Sequence, residues 1–378
     1  MTCFCSQAMV RSVDALLPQI STDLGTTVGT ASIVVTAYAL THAAIQLVVG
    51  PIGDRAGKYR TIAIAAALSA LTVALCGLAQ SLDALTIARL ASGATVAWVV
   101  PLSLAYIGDV VPYQQRQQVL GRFLAGQVLG QLIGQAAGGV IGDHLGWRAV
   151  FFVLAGLFAL AAIALVIELA TNPLTRPAAR PPARHPFADY SSVLGGPWAR
   201  FVLLVTCIEG ALVFGVFTYI GADLHLRFGL SFTAVGLVIA AFGIGGLAYA
   251  ATVHLLMNRL GQIRTALGGG LVMGAAFLTF AIEPTWVFAP MASAAIGYGF
   301  YMHHNALQTV STQMSPEARG TALGLFSSVY YLGQSLGAAL GAPVVDRFGA
   351  PPLFVASALL LPVLAWWFTS RLRRRPPG

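Results

Sequence analysis

Charge is what this chain has least of. Asp, Glu, Lys and Arg make up only 9% of its 378 residues, against 57% hydrophobic residues. Soluble globular domains average about 25% charged, so a water-soluble globular fold is excluded. Cysteine is scarce as well. Cys3, Cys5, Cys76 and Cys207 lie in apolar stretches without metal-ligand spacing, which argues for small buried side chains and against a metal site. There is no G-x-x-x-x-G-K-[ST] loop to cradle a nucleotide, no Ser/His/Asp arrangement and no cofactor motif, so neither ATP-driven work nor enzymatic catalysis is expected. The opening MTCFCSQAMV lacks a basic n-region and a cleavage site, and does not read as a cleaved signal peptide.

What remains is a succession of long apolar runs rich in Ala, Leu and Gly. They show no period-2 alternation, so they read as helices and not as barrel strands. At roughly 20 residues per span, the chain accommodates about twelve. The expected helices lie near 3–19, 28–49, 61–80, 84–107, 117–141, 148–169, 199–221, 231–255, 264–282, 286–310, 320–342 and 350–371. The Pro- and Arg-rich stretch TNPLTRPAARPPARHPF cannot continue a helix. It divides the chain into residues 1–171, a linker 172–198, and 199–378 with a basic tail. The fold class expected is an all-α membrane protein of two six-helix bundles.

The net charge of +8 does not point to nucleic acid. Sixteen of the 21 Lys and Arg fall in alternate loops and the C-terminal tail, and only Arg148, Arg227 and Arg347 fall in the opposite set. That asymmetry predicts that the richer loops, and both termini, face the cytoplasm.

Gly50–Arg60, GPIGDRAGKYR, packs Asp54, Arg55, Lys58 and Arg60 between two apolar runs. It reads as a short water-facing loop. A weaker copy follows at Asn258–Arg264, keeping Arg259, Gly261 and Arg264 at an offset of 204 (258 − 54). A second match is longer: Gly130, Gln131, Gly134, Gly138, Asp143 and Gly146 recur as Gly333, Gln334, Gly337, Gly341, Asp346 and Gly349, an offset of 203 (333 − 130). Two bundles from one duplicated unit is the simplest account.

The knot resembles the loop between helices 2 and 3 of the major facilitator superfamily, G-x-x-x-D-R-x-G-R/K-x-R/K, through Gly50, Asp54, Arg55, Gly57, Lys58 and Arg60. The resemblance implies a secondary transporter with 12 transmembrane helices, working by alternating access about a midplane site. It implies a cytoplasmic clasp in which Asp54 and Arg55 pair with neighbouring charges and helix ends, Asp109 among them. Asn258, Arg259, Gly261 and Arg264 form the weaker partner clasp. Gly121, Gly130, Gly134, Gly138 and Gly139 resemble the superfamily's antiporter motif, although Gln135 stands where the motif has proline. With Gly126 they form a stripe that lets another helix approach closely. Arg89 and Gly93 resemble the R-x-x-x-G motif tied to proton coupling. Arg11, Asp14 and Pro18 resemble helix 1 of bacterial drug-efflux members. Proton-coupled efflux of a small organic compound from the bacterial cytoplasm is what these likenesses imply. A metabolite importer or facilitator of the same fold, and a non-transporting membrane sensor, are the alternatives. The repeat makes a monomer sufficient.

The residues themselves add candidates. Charge inside a bilayer is costly, so Arg11, Asp14, Arg89 and Glu209 are expected to face partners or a cavity. Arg11 and Asp14 are three apart and share a face. Glu209 stands alone in its apolar run, where desolvation favours a neutral acid. Gln127, Gln131, Tyr301, Asn305, Gln308, Tyr330, Tyr331 and Gln334 are the expected lining of a polar, aromatic cavity. His303 and His304 are adjacent, so their side chains diverge by about 100 degrees on a helix, which argues against joint chelation of a metal.

Overall fold

The computed structural model describes residues 1–175, 186–283, 285–315 and 319–374. Arg176, Arg180 and Arg184 of the expected linker, and Arg375 of the tail, lie outside the described residues. Within them the chain is helical, with no strand. A backbone in hydrocarbon has no water to bond, and a helix satisfies its polar groups internally. Eight helical stretches are long and apolar enough to cross a membrane: Val28–Gln46, Lys58–Leu78, Leu82–Val110, Gln114–Leu145, Trp147–Thr171, Pro197–Phe228, Phe232–Ile282 and Pro351–Arg373. The helices Ala289–Ser311 and Arg319–Phe348 are not among these eight. They bear most of the polar side chains expected to line a cavity.

Burial follows the logic of lipid. Trp147–Thr171 turns Trp147, Phe151, Leu154 and Phe158 inward and leaves Leu160, Ile163, Val166 and Ile167 exposed. In the first half Thr2–Arg11 packs on Tyr113–Leu145, and Lys58–Leu78 packs on Leu82–Val96 and Trp147–Thr171. In the second half Pro197–Gly210 packs on Arg319–Phe348, and Phe232–Ile282 packs on Ala289–Ser311 and Pro351–Arg373. Two seams join the halves. Tyr113–Leu145 runs against the beginning of Phe232–Ile282, and Ile33–Gln46 runs against Arg319–Phe348.

The charged knot departs from its expected loop. Val49–Ala56 is helical, and a new helix begins at Lys58, so a single residue makes the corner. That residue is Gly57, at φ 87. Pro51 falls in the first turn, where a missing N–H costs little. The second half repeats the device: Phe232–Ile282 is broken only at Gly261, at φ 71, an offset of 204 (261 − 57). Positive φ is strained for a side-chain-bearing residue and free for glycine.

The first expected helix is also interrupted. Thr2–Arg11 and Leu17–Asp23 are separated by a turn. Pro18 enters the second piece and has no N–H to donate to the Asp14 carbonyl, so the ladder breaks there. The region expected at 199–221 contains a π-helical turn, Ala211–Gly215, directly after Glu209 and Gly210. Such turns concentrate at functional sites.

Candidate functional site

Glycine places the cavity wall. A Cβ on Gly134 would come 2.5 Å from Ala8 Cα, and one on Gly138 would come 2.6 Å from the Ser12 carbonyl oxygen. Thr2–Arg11 therefore lies directly on the Tyr113–Leu145 backbone. The repeat does the same: a Cβ on Gly337 would come 2.7 Å from Ala211 Cα. Gly121 and Gly126, expected in the same stripe, meet nothing within 4 Å and take no part in this packing.

Beside these seams, between the halves, lies a cavity of about 280 Å³. Gln127, Gln131, Tyr301, Asn305, Gln308, Tyr330 and Tyr331 all line it, as expected from the sequence, together with Gln7, Phe214, Phe300 and His304. Gln334 does not. It is buried one turn beyond Tyr330, and its Oε1 accepts a 2.8 Å hydrogen bond from Arg11 Nη2. A neighbouring cavity of about 390 Å³ shares Asn305 and Gln308 and reaches Gln262 of the second knot. The polar lining is amide, phenol, the Ser327 hydroxyl and the His304 imidazole, set among aromatic and aliphatic side chains, and no carboxylate of the described residues belongs to it.

Glu209 lies behind this wall and is fully buried. It is not solitary. His303 Nδ1 is 2.7 Å from its Oε1, and His304 Nδ1 is 2.7 Å from its Oε2. The divergence of adjacent histidines, which counts against chelation, lets each imidazole take one oxygen of a carboxylate set between them. The two rings differ in access. His303 is sealed against Phe368, and its Nε2 is buried without a partner. His304 stacks on Phe300, centroids 4.6 Å apart, and forms part of the cavity wall.

Arg11 and Asp14 pair at 3.2 Å. The Arg11 guanidinium also lies over the Phe214 ring, 4.1 Å from its centroid. With its bond to Gln334, Arg11 thus reaches from the first half into two helices of the second. Arg89, expected to face the cavity, instead faces the packed interior of its own half. It is fully buried, donates from Nε to the Val34 carbonyl at 2.9 Å, and sits 4.2 Å above the Tyr38 ring. It neither lines the cavity nor snorkels to a surface. Asp14 Oδ1 and Arg89 Nη2 are buried without hydrogen-bond partners among the described residues.

The two ends of the bundle differ. At the knot end Lys58 Nζ binds Asp54 at 3.0 Å and Asp109 at 2.6 Å. Asp109 meets the knot as expected, but these partners all belong to the first half. In the second knot Asn258 bonds only one turn back, 3.1 Å from His254 Nδ1. At the opposite end the halves are tied directly. Asp143 accepts from the Phe232 N–H at 2.9 Å and the Thr233 N–H at 2.6 Å. Asp346 accepts from the Gly29 N–H and the Thr27 hydroxyl, both at 2.7 Å. Each aspartate thus faces the positive end of a helix of the other half.

The same end carries a carboxylate pair on one arginine. Arg227 Nη2 is 2.7 Å from Asp223 and 3.8 Å from Glu283. Burial pushes the Glu283 carboxyl up to about 7, Arg227 pulls it down, and the Asp223 charge raises it. Nearby, the hydrogen bond from Arg148 holds Asp23 below the usual carboxylate range.

Five participants carry little or no signal in the sequence: His303, His304, Asp143, Asp346 and His42. In the sequence His303 and His304 read only against a metal-ligand pair. Asp143 and Asp346 stood out only as repeated letters, and that recurrence was the signal available. His42, buried with its ring 4.1 Å from that of Tyr331 across the seam, carried no signal at all.

Two helical bundles, a polar cavity at their junction and aspartate ties across one end are the architecture of a multi-pass membrane transporter, a class that does no enzymatic chemistry. It belongs to the Major Facilitator Superfamily, whose family model matches residues 1–338 and 220–378. The chain is 26% identical to the uncharacterized MFS-type transporter YceJ of Bacillus subtilis, over 95% of this chain and 92% of that protein. It is also 26% identical to a probable sugar efflux transporter of Pasteurella multocida, covering 93% and 87% respectively. Among solved structures, a mutant of the nucleoside transporter NupG has the same fold, with a TM-score of 0.80 and 16% identity over 98% of this chain and 97% of that one.

Proposed function

We propose that this protein exports a small, neutral, hydrogen-bonding organic compound in exchange for protons. The observation that carries this reading is the cavity between the halves. Its amides, from Gln127 and Gln131 on one side and Asn305 and Gln308 on the other, face phenol and aromatic rings. Amides pair with hydroxyls and ring nitrogens, and aromatic faces pack against apolar ring faces. The one buried acid beside the wall is covered by imidazoles, so a cationic compound finds no carboxylate there. A Pasteurella relative named as a probable sugar efflux transporter supports the same chemistry.

Alternating access follows from the repeat. With the knot end assigned to the cytoplasm by its basic residues, the ties at Asp143 and Asp346 hold the outer end closed, and the cavity faces inward. Lys58 bound to Asp54 and Asp109 rests within its half. In the other state Asp54, Arg55 and the Asn258–Arg264 turn clasp the inner end. Both termini lie in the cytoplasm, the membrane is the bacterial cytoplasmic one, and one chain suffices. Asp14 with Arg11, and Glu209 with its histidines, are the ionisable clusters available for protons, with Arg89 close behind.

Liposomes holding the purified chain under an imposed pH gradient test this, with methyl β-glucoside, uridine and tetraphenylphosphonium as probes. The expected result is gradient-driven movement of a neutral probe, abolished in Asp14→Asn or Glu209→Gln while gradient-free exchange persists. Movement of the phosphonium alone removes the neutral-compound reading. Full gradient-driven activity in both variants removes the proton assignment.

A further inference from the structure

The structure assigns the exchanged proton to Nε2 of His304, with Glu209 as its permanent counter-ion and His303 as the residue that holds that counter-ion in place. This rests on the proton-exchange reading above and names the atom that carries it out.

The argument is one of available lone pairs. Both Glu209 oxygens are already engaged, each 2.7 Å from an imidazole Nδ1. A carboxylate donates nothing, so in the ionised state both Nδ1 atoms carry hydrogen and donate. Each ring then has one basic position left, Nε2. That of His303 is buried without a hydrogen-bond partner among the described residues, behind a side chain that is 1% exposed. The His304 side chain is 13% exposed and forms part of the cavity wall. Its Nε2 lies across the ring from the atom that Glu209 holds. An arriving proton therefore adds to His304, and the cluster passes from a net charge of −1 to 0. Glu209 stays ionised throughout and stabilises the imidazolium.

The neighbours agree with this. Phe300, Phe326 and Tyr330 surround the His304 ring at 4.6, 5.3 and 4.9 Å between centroids. From the remaining packed elements the groups facing the cluster are His303 on the same helix, Tyr330 on Arg319–Phe348, and Arg11 beyond Phe214. Tyr330 is neutral, and Arg11 is matched by Asp14. Among the described residues Glu209 is thus the one anion in contact with His304.

The consequence is exclusive occupancy. An N–H of the cargo donated to the Nε2 lone pair occupies the position a proton needs. Protonation turns Nε2 into a donor and ejects that group. Cargo and proton then alternate on one atom, which is what an exchanger requires.

The test needs no cargo. The chain in lipid nanodiscs, with ring-¹⁵N histidine and carboxyl-¹³C glutamate, is titrated by solid-state NMR. The His304 signals are assigned by their loss in His304→Gln, or, should that variant not fold, by replacing the five histidines outside the pair (7 − 2) with Gln and identifying His303 by its loss in His303→Gln. The expected result is a His304 Nε2 that titrates, a His303 that does not, and a Glu209 carboxyl shift that stays ionised across the same range. A Glu209 carboxyl that titrates while His304 is silent overturns the assignment, even if a pH gradient drives transport in liposomes. A titrating His304 in a chain that no gradient drives leaves the protonation site standing and removes the exchange reading instead.

Discussion

Asp143 and Asp346 occupy equivalent places in the two halves, 203 residues apart (346 − 143), and each binds the N-terminus of a helix in the half it does not belong to. The capping hydroxyls are equivalent too: Thr27 and Ser231 are the N-cap residues of the two receiving helices. The closure at this end is therefore one device used twice, as a duplicated chain requires if its halves are to part symmetrically.

Hydrogen bonds to a charged acceptor contribute about 1.5–3 kcal/mol each. Asp143→Ala or Asp346→Ala is expected to shift the balance toward a structure open at this end by roughly tenfold or more, and the double variant further. Spin labels at exposed Leu145 and Leu226, one on each half, would report longer distances. Unchanged distances in the double variant would show that the two aspartates do not hold this end shut.

Gly134 and Gly126 belong to one sequence stripe and differ in consequence. Gly134→Val drives a side chain into Ala8 and is expected to cost about 1–3 kcal/mol, with loss of the ordered contact between Thr2–Arg11 and Tyr113–Leu145. Gly126→Ala enters open space and is expected to leave melting in detergent unchanged. Equal melting temperatures for the two variants would sink the packing assignment.

What the sequence disclosed follows from what a bilayer punishes. Lone ions in apolar runs stood out, and Arg11, Asp14, Arg89 and Glu209 all proved buried. The repeat was visible because both halves need the same glycines where backbones touch. The knot reads as a loop because charges with Gly and Pro look the same in a loop and at a solvated helix end; only the torsion at Gly57 separates them. The partners of Glu209 were hidden because they are 94 and 95 residues away in the chain, and nothing local brings them together. The packed surroundings of Arg89 are hidden in the sequence because spacing cannot tell a cavity face from a packed one.

Asp14 offers a test of burial cost. Asp14→Ala leaves Arg11 charged and poorly compensated, and is expected to destabilise by about 3–5 kcal/mol. Adding Arg11→Met to the same chain is expected to recover much of that loss, as a double-mutant cycle in detergent melting would reveal. Equal destabilisation in the single and double variants would show that the pair is not a unit.

Glu283 gives a pH signature. Its carboxyl is raised from 4.5 to about 7 in the folded chain. A raised acid is destabilising wherever the unfolded state has lost its proton and the folded state resists losing it. The penalty is absent below about pH 4.5 and grows until about pH 7, then stays constant. Glu283→Gln is expected to melt with the parent at low pH and higher than the parent above pH 7. A melting difference that does not vary with pH would contradict the shift.

Where the first seam crosses, Gly139 and Gly236 oppose each other, and a Cβ on either would come 3.0 Å from the other's Cα. Interlocked side chains behave as gear teeth and permit motion only in steps. Bare backbone has no teeth. At this crossing no side chain interlocks the two helices, and the Asp143 bonds to the Phe232 and Thr233 N–H groups about one turn away are what pin it. Because the crossing lies near one end of long rods, a few degrees of roll there become several ångströms of travel at the other end, where the knots are.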